Sequence, residues 1–312
     1  MKNCICHLFG IQHPIISGGM VWCSGHRLAS SVSLAGGLGL IGAGSMHPDV
    51  LRYHIQQCRI AVQGRPFGVN LPLFYPELEQ VIAIVIEEKV PIVFTSGGNP
   101  ALYTSRLKSA GITVVHVVAS AKFAIKAQKA GVDAVVAEGF EAGGHNGRDE
   151  LTTMVLIPQV VSAVDIPVIA AGGIANGAQW AASIALGASA VQIGSLFALS
   201  QESSAHQNFK ELCLGLGESD TMLSLKKLSP VRLIKNAFYQ TIDAAEARGA
   251  TAQELAELLG RGRAKLGMFE GELNEGELEI GQVVASIDKI ESVTEIFERL
   301  IKEYQCAILN FH

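Results

Sequence analysis

Residues 133–147 read DAVVAEGFEAGGHNG. An apolar run meets a carboxylate at Glu138 and then a loop with glycine at positions 139, 143, 144 and 147. A short run without polar alternation suits a strand buried on both faces of a parallel sheet. The same pattern recurs in PIIS (14–17), GLI (39–41), FGVNL (67–71), PIVFT (91–95), TVVHVV (113–118), PVIAA (167–171) and ASAVQI (188–193). Helical patterns fill the gaps, among them 26–37, 76–89, 99–111, 120–131 and 177–188, and several close on glycine as a helix C-cap does. This alternation predicts an α/β chain, a (β/α)8 TIM barrel, although a doubly wound open sheet shares the local pattern.

The rhythm breaks after Ser195. Residues 1–200 read as the barrel, and 201–265 as a mostly helical, polar lid inserted after strand eight, clearest as an amphipathic pattern over 246–265. Residues 266–312 read as a glycine- and acid-rich return segment with a final barrel helix over 293–304. Of the 312 residues, 49% are apolar and 17% charged, which is ample for a large core. A net charge of -5 without a polybasic run argues against nucleic acid or a charged membrane surface as partner. The 6 cysteines form no CxxC pair and no Cys/His cluster, so reduced thiols and no metal site are expected. The N-terminal apolar stretch is broken by His7, Gln12 and His13, and a soluble, cytoplasmic protein is the expectation.

Ligands of such barrels gather where the βα loops begin. Gly172–Gly173 after strand seven and Gly194–Ser195 after strand eight are neighbours around the barrel and make a candidate phosphate cradle. No GxxxxGK[ST] motif is present, which argues against a P-loop triphosphate site. Gly143 and Gly144 let backbone pass close to a flat ligand and leave the His145 imidazole as the projecting group. A histidine titrating near neutral pH can donate a hydrogen bond to developing charge or take a proton. Glu138, alone in an apolar strand end, reads either as a ligand contact or as a structural acceptor for the loop amides. Asn70 would point into the same mouth, and the other histidines, His116 and His312 included, read as structural.

The motifs SGGMVW, GGLGLIGAG, PFGVNLPL, AEGFEAGGHNG, IAAGGIANG, VQIGSLF and VRLIKN occur in this order. Together they resemble the FMN-dependent enoyl-acyl-carrier-protein reductase II enzymes and the related nitronate monooxygenases, across nearly the whole chain. The resemblance implies FMN at the barrel mouth, its ring against Gly18, Gly19 and Met20, with Asn70 and Glu138 in contact. It implies a phosphate held by Gly172, Gly173, Gly194 and Ser195, a weaker contact at Ser120, and His145 as the catalytic residue facing the substrate. A reductase would take hydride from NADH or NADPH and pass it to an enoyl thioester carried on acyl-carrier protein, as in fatty acid synthesis. A nitronate monooxygenase would oxidise an alkyl nitronate with oxygen, and a non-catalytic FMN-binding module is the remaining alternative. SGGMVW, LTTM and VRLIKN favour the reductase, whereas Asn146 and the inserted Arg148–Glu150 depart from it. Arg232 and Lys235 would meet the phosphopantetheine arm or the nicotinamide phosphates, or lie on a solvated helix face. An inosine-monophosphate-dehydrogenase-like chemistry needs a cysteine in the loop after strand six, and AGGHNG has none. A homodimer is compatible with this reading.

Overall fold

The computed structural model describes residues 3–309, so His312 and the end of the return segment lie outside them. The strands are β1 (Ile15–Ser17), β2 (Gly39–Gly42), β3 (Phe67–Pro72), β4 (Ile92–Ser96), β5 (Thr113–Val118), β6 (Ala134–Glu138), β7 (Gly144–His145), β8 (Val168–Ala171), β9 (Ala190–Ile193), β10 (Thr221–Ser224) and β11 (Val231–Ile234). Eight of them form one parallel sheet in the order β1-β9-β8-β6-β5-β4-β3-β2. The ends of that sheet meet. Leu38, just before β2, donates its amide to Ile15 O at 2.9 Å and accepts from Ser17 N at 3.0 Å. A closed cylinder leaves no unpaired edge. The chain is a (β/α)8 barrel.

The continuous apolar runs follow from this closure. Alternate residues of each strand serve two cores. Ile16, Leu40, Phe94, Val115, Val136 and Ile169 fill the cylinder, while Ile15, Ile41, Val93, Val114, Val135 and Val168 pack under the surrounding helices. The N-terminal segment forms a helix, Cys4–Phe9, capped by the Asn3 side chain. It stoppers the N-terminal end of the barrel with Ile5 and Phe9, and Asn3 Nδ2 donates to Ser189 O at 2.7 Å beside the start of β9. Among the described residues no helix is long and apolar enough to cross a membrane.

The helix Val293–Leu309 packs against Gly177–Ala185 on one side and His26–Leu34 on the other, which is the eighth place in the helical ring. The approach is close at Gly177, where a Cβ would stand 2.1 Å from Tyr304 N. Trp180 stacks on Tyr304 with ring centroids 4.0 Å apart, and Glu303 accepts from Gly177 N at 2.8 Å.

Residues 201–265, expected to be mostly helical, also contain β10 and β11. These pair antiparallel, and β11 pairs in turn with β7. Leu225, Leu233, Phe238, Ile242 and Leu255 give this part a small core of its own.

Replacing Gly177 with alanine improves helix propensity yet inserts a methyl into the Tyr304 backbone. The expected outcome is a net loss of about 1–3 kcal/mol, the usual cost of overpacking, read by denaturant unfolding. An unchanged midpoint would contradict the tight contact.

Candidate active site

A cavity of about 1190 Å³ opens at the C-terminal ends of the barrel strands. Gly18, Gly19, Met20, Asn70, Glu138, Gly143, Gly144, His145, Gly172, Gly173, Gly194 and Ser195 all border it. Ser120 does not. Its hydroxyl instead caps the helix Ala121–Lys129 by accepting from Phe123 N at 3.3 Å, the ordinary duty of a serine at that position.

The turn after β1 is held by Ser24, whose hydroxyl donates to Gly18 O at 2.9 Å and accepts from Met20 N at 3.1 Å. Glycine at 19 is obligatory, since a Cβ there would lie 2.2 Å from Asn70 Cβ. The Asn70 amide makes only long contacts, 3.5 Å to Gly19 O and 3.4 Å to Ser96 Oγ, so it retains hydrogen-bonding capacity toward the cavity. Gln192 also borders the cavity, and its Oε1 is buried without a partner. The amides of Gly173, Gly194 and Ser195 find no acceptor among the described residues. Unfilled donors at the top of adjacent strands β8 and β9, flanked by glycines without Cβ atoms, suit a phosphate.

His145 is held by ties to three segments. Glu141 accepts from Thr153 N and Thr153 Oγ1 at 3.0 Å, anchoring the loop to the following helix. Asn146 Nδ2 donates to Ala142 O at 2.8 Å and Gly144 O at 3.0 Å, and Asn146 N donates to Pro230 O at 2.8 Å. The inserted Arg148 reaches Lys226 O and Leu228 O at the turn between β10 and β11. The two sequence departures therefore dock the histidine loop onto that hairpin.

Arg232 overturns its expected role. It lies on a strand rather than a helix, is only 2% exposed, and donates Nε and Nη2 to Phe140 O at 3.1 and 2.8 Å. It holds the histidine loop from behind and does not border the cavity. Lys235 is exposed and does not border the cavity.

The residues that sequence reading missed come from the return segment and the flank. Glu277 and Glu279 border the cavity near His145. Their alternation with Leu278 and Ile280 was the available signal, because a period of two places both carboxyls on one side. His116 lies on the helix-facing side of β5 with its Nδ1 2.7 Å from Thr95 Oγ1, and burial pushes its pKa down to about 4. With Asn99, Phe123, Lys126 and Lys129 it lines the flank of the cavity. Both lysines are exposed, without a carboxylate partner among the described residues.

Burial dominates the electrostatics. It raises Glu138 and Glu279 to about 7 and Glu277 to about 8. His145 is exposed to the cavity but surrounded by protein, and desolvation lowers its pKa while Glu277 acts in the opposite direction. At neutral pH its imidazole is neutral and able to donate one hydrogen bond.

The nitronate monooxygenase family model matches residues 2–81 and 76–303. The structure of FabK from Thermotoga maritima superposes with a TM-score of 0.95 at 41% identity, covering 100% of this chain and 98% of that one. A hydroxy-methyl-oxo-octahydro-indene-carboxyl-CoA dehydrogenase from Rhodococcus jostii (strain RHA1) is 30% identical over 97% of this chain and 96% of its own length. A probable nitronate monooxygenase of Staphylococcus aureus is 35% identical over 72% of this chain and 75% of its own.

The raised carboxyls carry a stability signature. An unfolded glutamate titrates near 4.3, so between about pH 4 and 7 folded Glu138 holds a proton that the unfolded chain has released. Its contribution is therefore lost as pH rises through that window. Glu138→Gln is expected to raise Tm relative to the parent at pH 8 and to leave it unchanged at pH 4.5. An equal effect at both pH values would show that the carboxyl is not desolvated.

Proposed function

The chain belongs to the nitronate monooxygenase family, and we propose from that premise that it is an FMN-dependent reductase of enoyl thioesters using NADH or NADPH. The observation that carries the reading is the cavity. At about 1190 Å³ it exceeds the roughly 300–1,000 Å³ of ordinary ligand sites, leaving room for a cofactor and a second bulky ligand. The whole-length likeness to FabK supports the reductase branch, and the Rhodococcus relative, by its name, handles a CoA thioester. The family description and the Staphylococcus relative favour nitronate oxidation as the second reading.

The residues fit FMN. The unfilled amides of Gly173, Gly194 and Ser195 would take its phosphate, while Asn70, Glu138 and Gln192 offer polar contacts below the ring and chain. Bound there, FMN supplies hydride transfer between the nicotinamide and the enoyl β-carbon. His145 donates a hydrogen bond to the thioester carbonyl and stabilises the negative charge that builds there during reduction. Arg232, Asn146 and Glu141 keep the imidazole in place, so the donor does not reorganise as charge develops. Lys126 and Lys129 on the flank of the cavity give phosphates of the thioester carrier a landing place. That carrier is acyl-carrier protein or coenzyme A.

The test is anaerobic. NADH or NADPH should bleach the flavin of the purified protein, and a short trans-2-enoyl thioester should restore its colour. Bleaching by an alkyl nitronate with both nucleotides inert would replace the reductase by the monooxygenase. His145→Ala should keep its flavin and lose about 100- to 1,000-fold in kcat, the usual effect of removing one oxyanion donor. Full activity per bound flavin in that variant would remove His145 from the chemistry.

A further inference from the structure

The ties that hold the histidine loop act on its backbone, on either side of His145. They leave the ring itself unanchored. Among the described residues neither ring nitrogen of His145 has a hydrogen-bond partner, whereas His116 and His206 spend one on Thr95 and on Asn208 N. What meets the imidazole is Phe74. The two ring centroids are 5.7 Å apart with their planes inclined at 36°, within the range at which flat rings pack.

This meeting is built by three loops. Phe74 follows β3 and His145 lies beyond β6, with β4 and β5 between them in the sheet. The Phe74 segment is pinned on both sides. Leu73 N donates to Ser96 O at 2.8 Å, Tyr75 N donates to Pro72 O at 3.1 Å, and Tyr75 Oη donates to Met46 O at 3.1 Å. The loop after β4 then seats the ring. A Cβ on Gly97 would stand 2.8 Å from Phe74 Cδ1, and one on Gly98 would stand 2.9 Å from Leu73 Cβ. Both glycines have left-handed backbone, with φ at +63° and +65°, so a side chain is disfavoured there on two counts. Core packing does not explain so prepared a seat, because Phe74 is 63% exposed and borders the cavity.

We propose that Phe74 is a positioning residue that sets the plane of the His145 imidazole and so aims its donor at the thioester carbonyl. The proposal rests on the reductase reading. On a fixed backbone an imidazole still turns about two side-chain bonds, and a hydrogen bond weakens steeply once donor, proton and acceptor leave line. A flat neighbour that neither donates nor accepts limits that turning without occupying a ring nitrogen. A polar neighbour would compete with the substrate for the same nitrogens. The donor is then oriented before charge develops, which is the condition for stabilising that charge without reorganisation. Phe74 acts through His145 and takes no part in bond making.

The experiment records the ring signals of His145 by NMR in the flavin-loaded protein without substrate, identified by their loss in His145→Ala. An aromatic ring shifts the signals of nuclei packed on it. Phe74→Leu should therefore move the His145 signals, and Phe74→Tyr should leave them near their parental positions. Gly97→Ala keeps Phe74 but puts a methyl where the edge of its ring lies, and should move them as well. With a trans-2-enoyl thioester, Phe74→Ala should lose roughly 10- to 100-fold in kcat with KM held, the scale of a small misplacement. Phe74→Tyr should recover most of that loss. His145 signals unmoved in Phe74→Leu, or kcat unmoved in Phe74→Ala, would overturn the proposal. A raised KM at parental kcat would overturn it too, since Phe74 would then be a binding contact. If the signals move but the parent reduces no enoyl thioester, the reductase reading fails and the same kcat split is read on nitronate turnover. Phe74 is exposed, so its truncation opens no core cavity, and retained flavin and Tm check that each variant is folded.

Discussion

Two backbones touch at the heart of this molecule, and neither could do so if it carried a side chain there. A Cβ on Gly143 would stand 2.5 Å from Ile280 C and 2.6 Å from Gly281 N. The contact is locked by Gln282 N donating to Glu141 O at 2.9 Å and Gly281 N donating to Ser195 Oγ at 3.0 Å. It brings residues separated by more than a hundred positions into one wall. Everything that distinguishes the site depends on it: the orientation of His145, the nearness of Glu277 and Glu279, and the coupling of the loop after β6 to the one after β9. Glycine confers this at an entropic cost, since both segments are more mobile when unfolded than alanine would make them.

The barrel was legible because each strand is apolar on two faces, a pattern that few other environments impose. All eight barrel strands fall on the runs read from sequence, displaced at their ends by a residue or two. The strand β7 was not legible, because two residues have no periodicity. Nor were β10 and β11, and with them went the error over Arg232. In VRLI a buried arginine is indistinguishable by pattern from an exposed one, and only the opposing Phe140 carbonyl decides between them. Most candidate site residues border one cavity because they were chosen as strand ends of a closed barrel, where topology gathers them. Ser120 was chosen the same way, but it starts a helix and turns to cap it. Glu277 and Glu279 sit on an irregular segment whose path is set by the glycine contact, so their alternation with Leu278 and Ile280 tells that they share a side and not where that side arrives.

Glu138, Glu277 and Glu279, desolvated in one cavity wall and without counter-ions among the described residues, are a burden on stability. The closed cylinder, packed on both faces, is the part of the fold able to carry it. Sites of this kind are commonly less stable than they could be, because groups held for chemistry are not the groups that packing would choose. The charged residues of the outer shell follow a different rule. Arg299, for example, pairs with Glu291 at 2.7 Å and with Glu303 at 3.3 Å, and serves the seating of the last helix.

The N-terminal helix has a further meaning. By closing the lower rim with Ile5 and Phe9 it extends the core of the cylinder past the ends of the strands. An interior already filled by Ile16, Leu40, Phe94, Val115, Val136 and Ile169 is thereby sealed against water from below. Solvent and solutes reach the strand tops only from the side on which the cavity opens, so the two ends of one barrel work in different media.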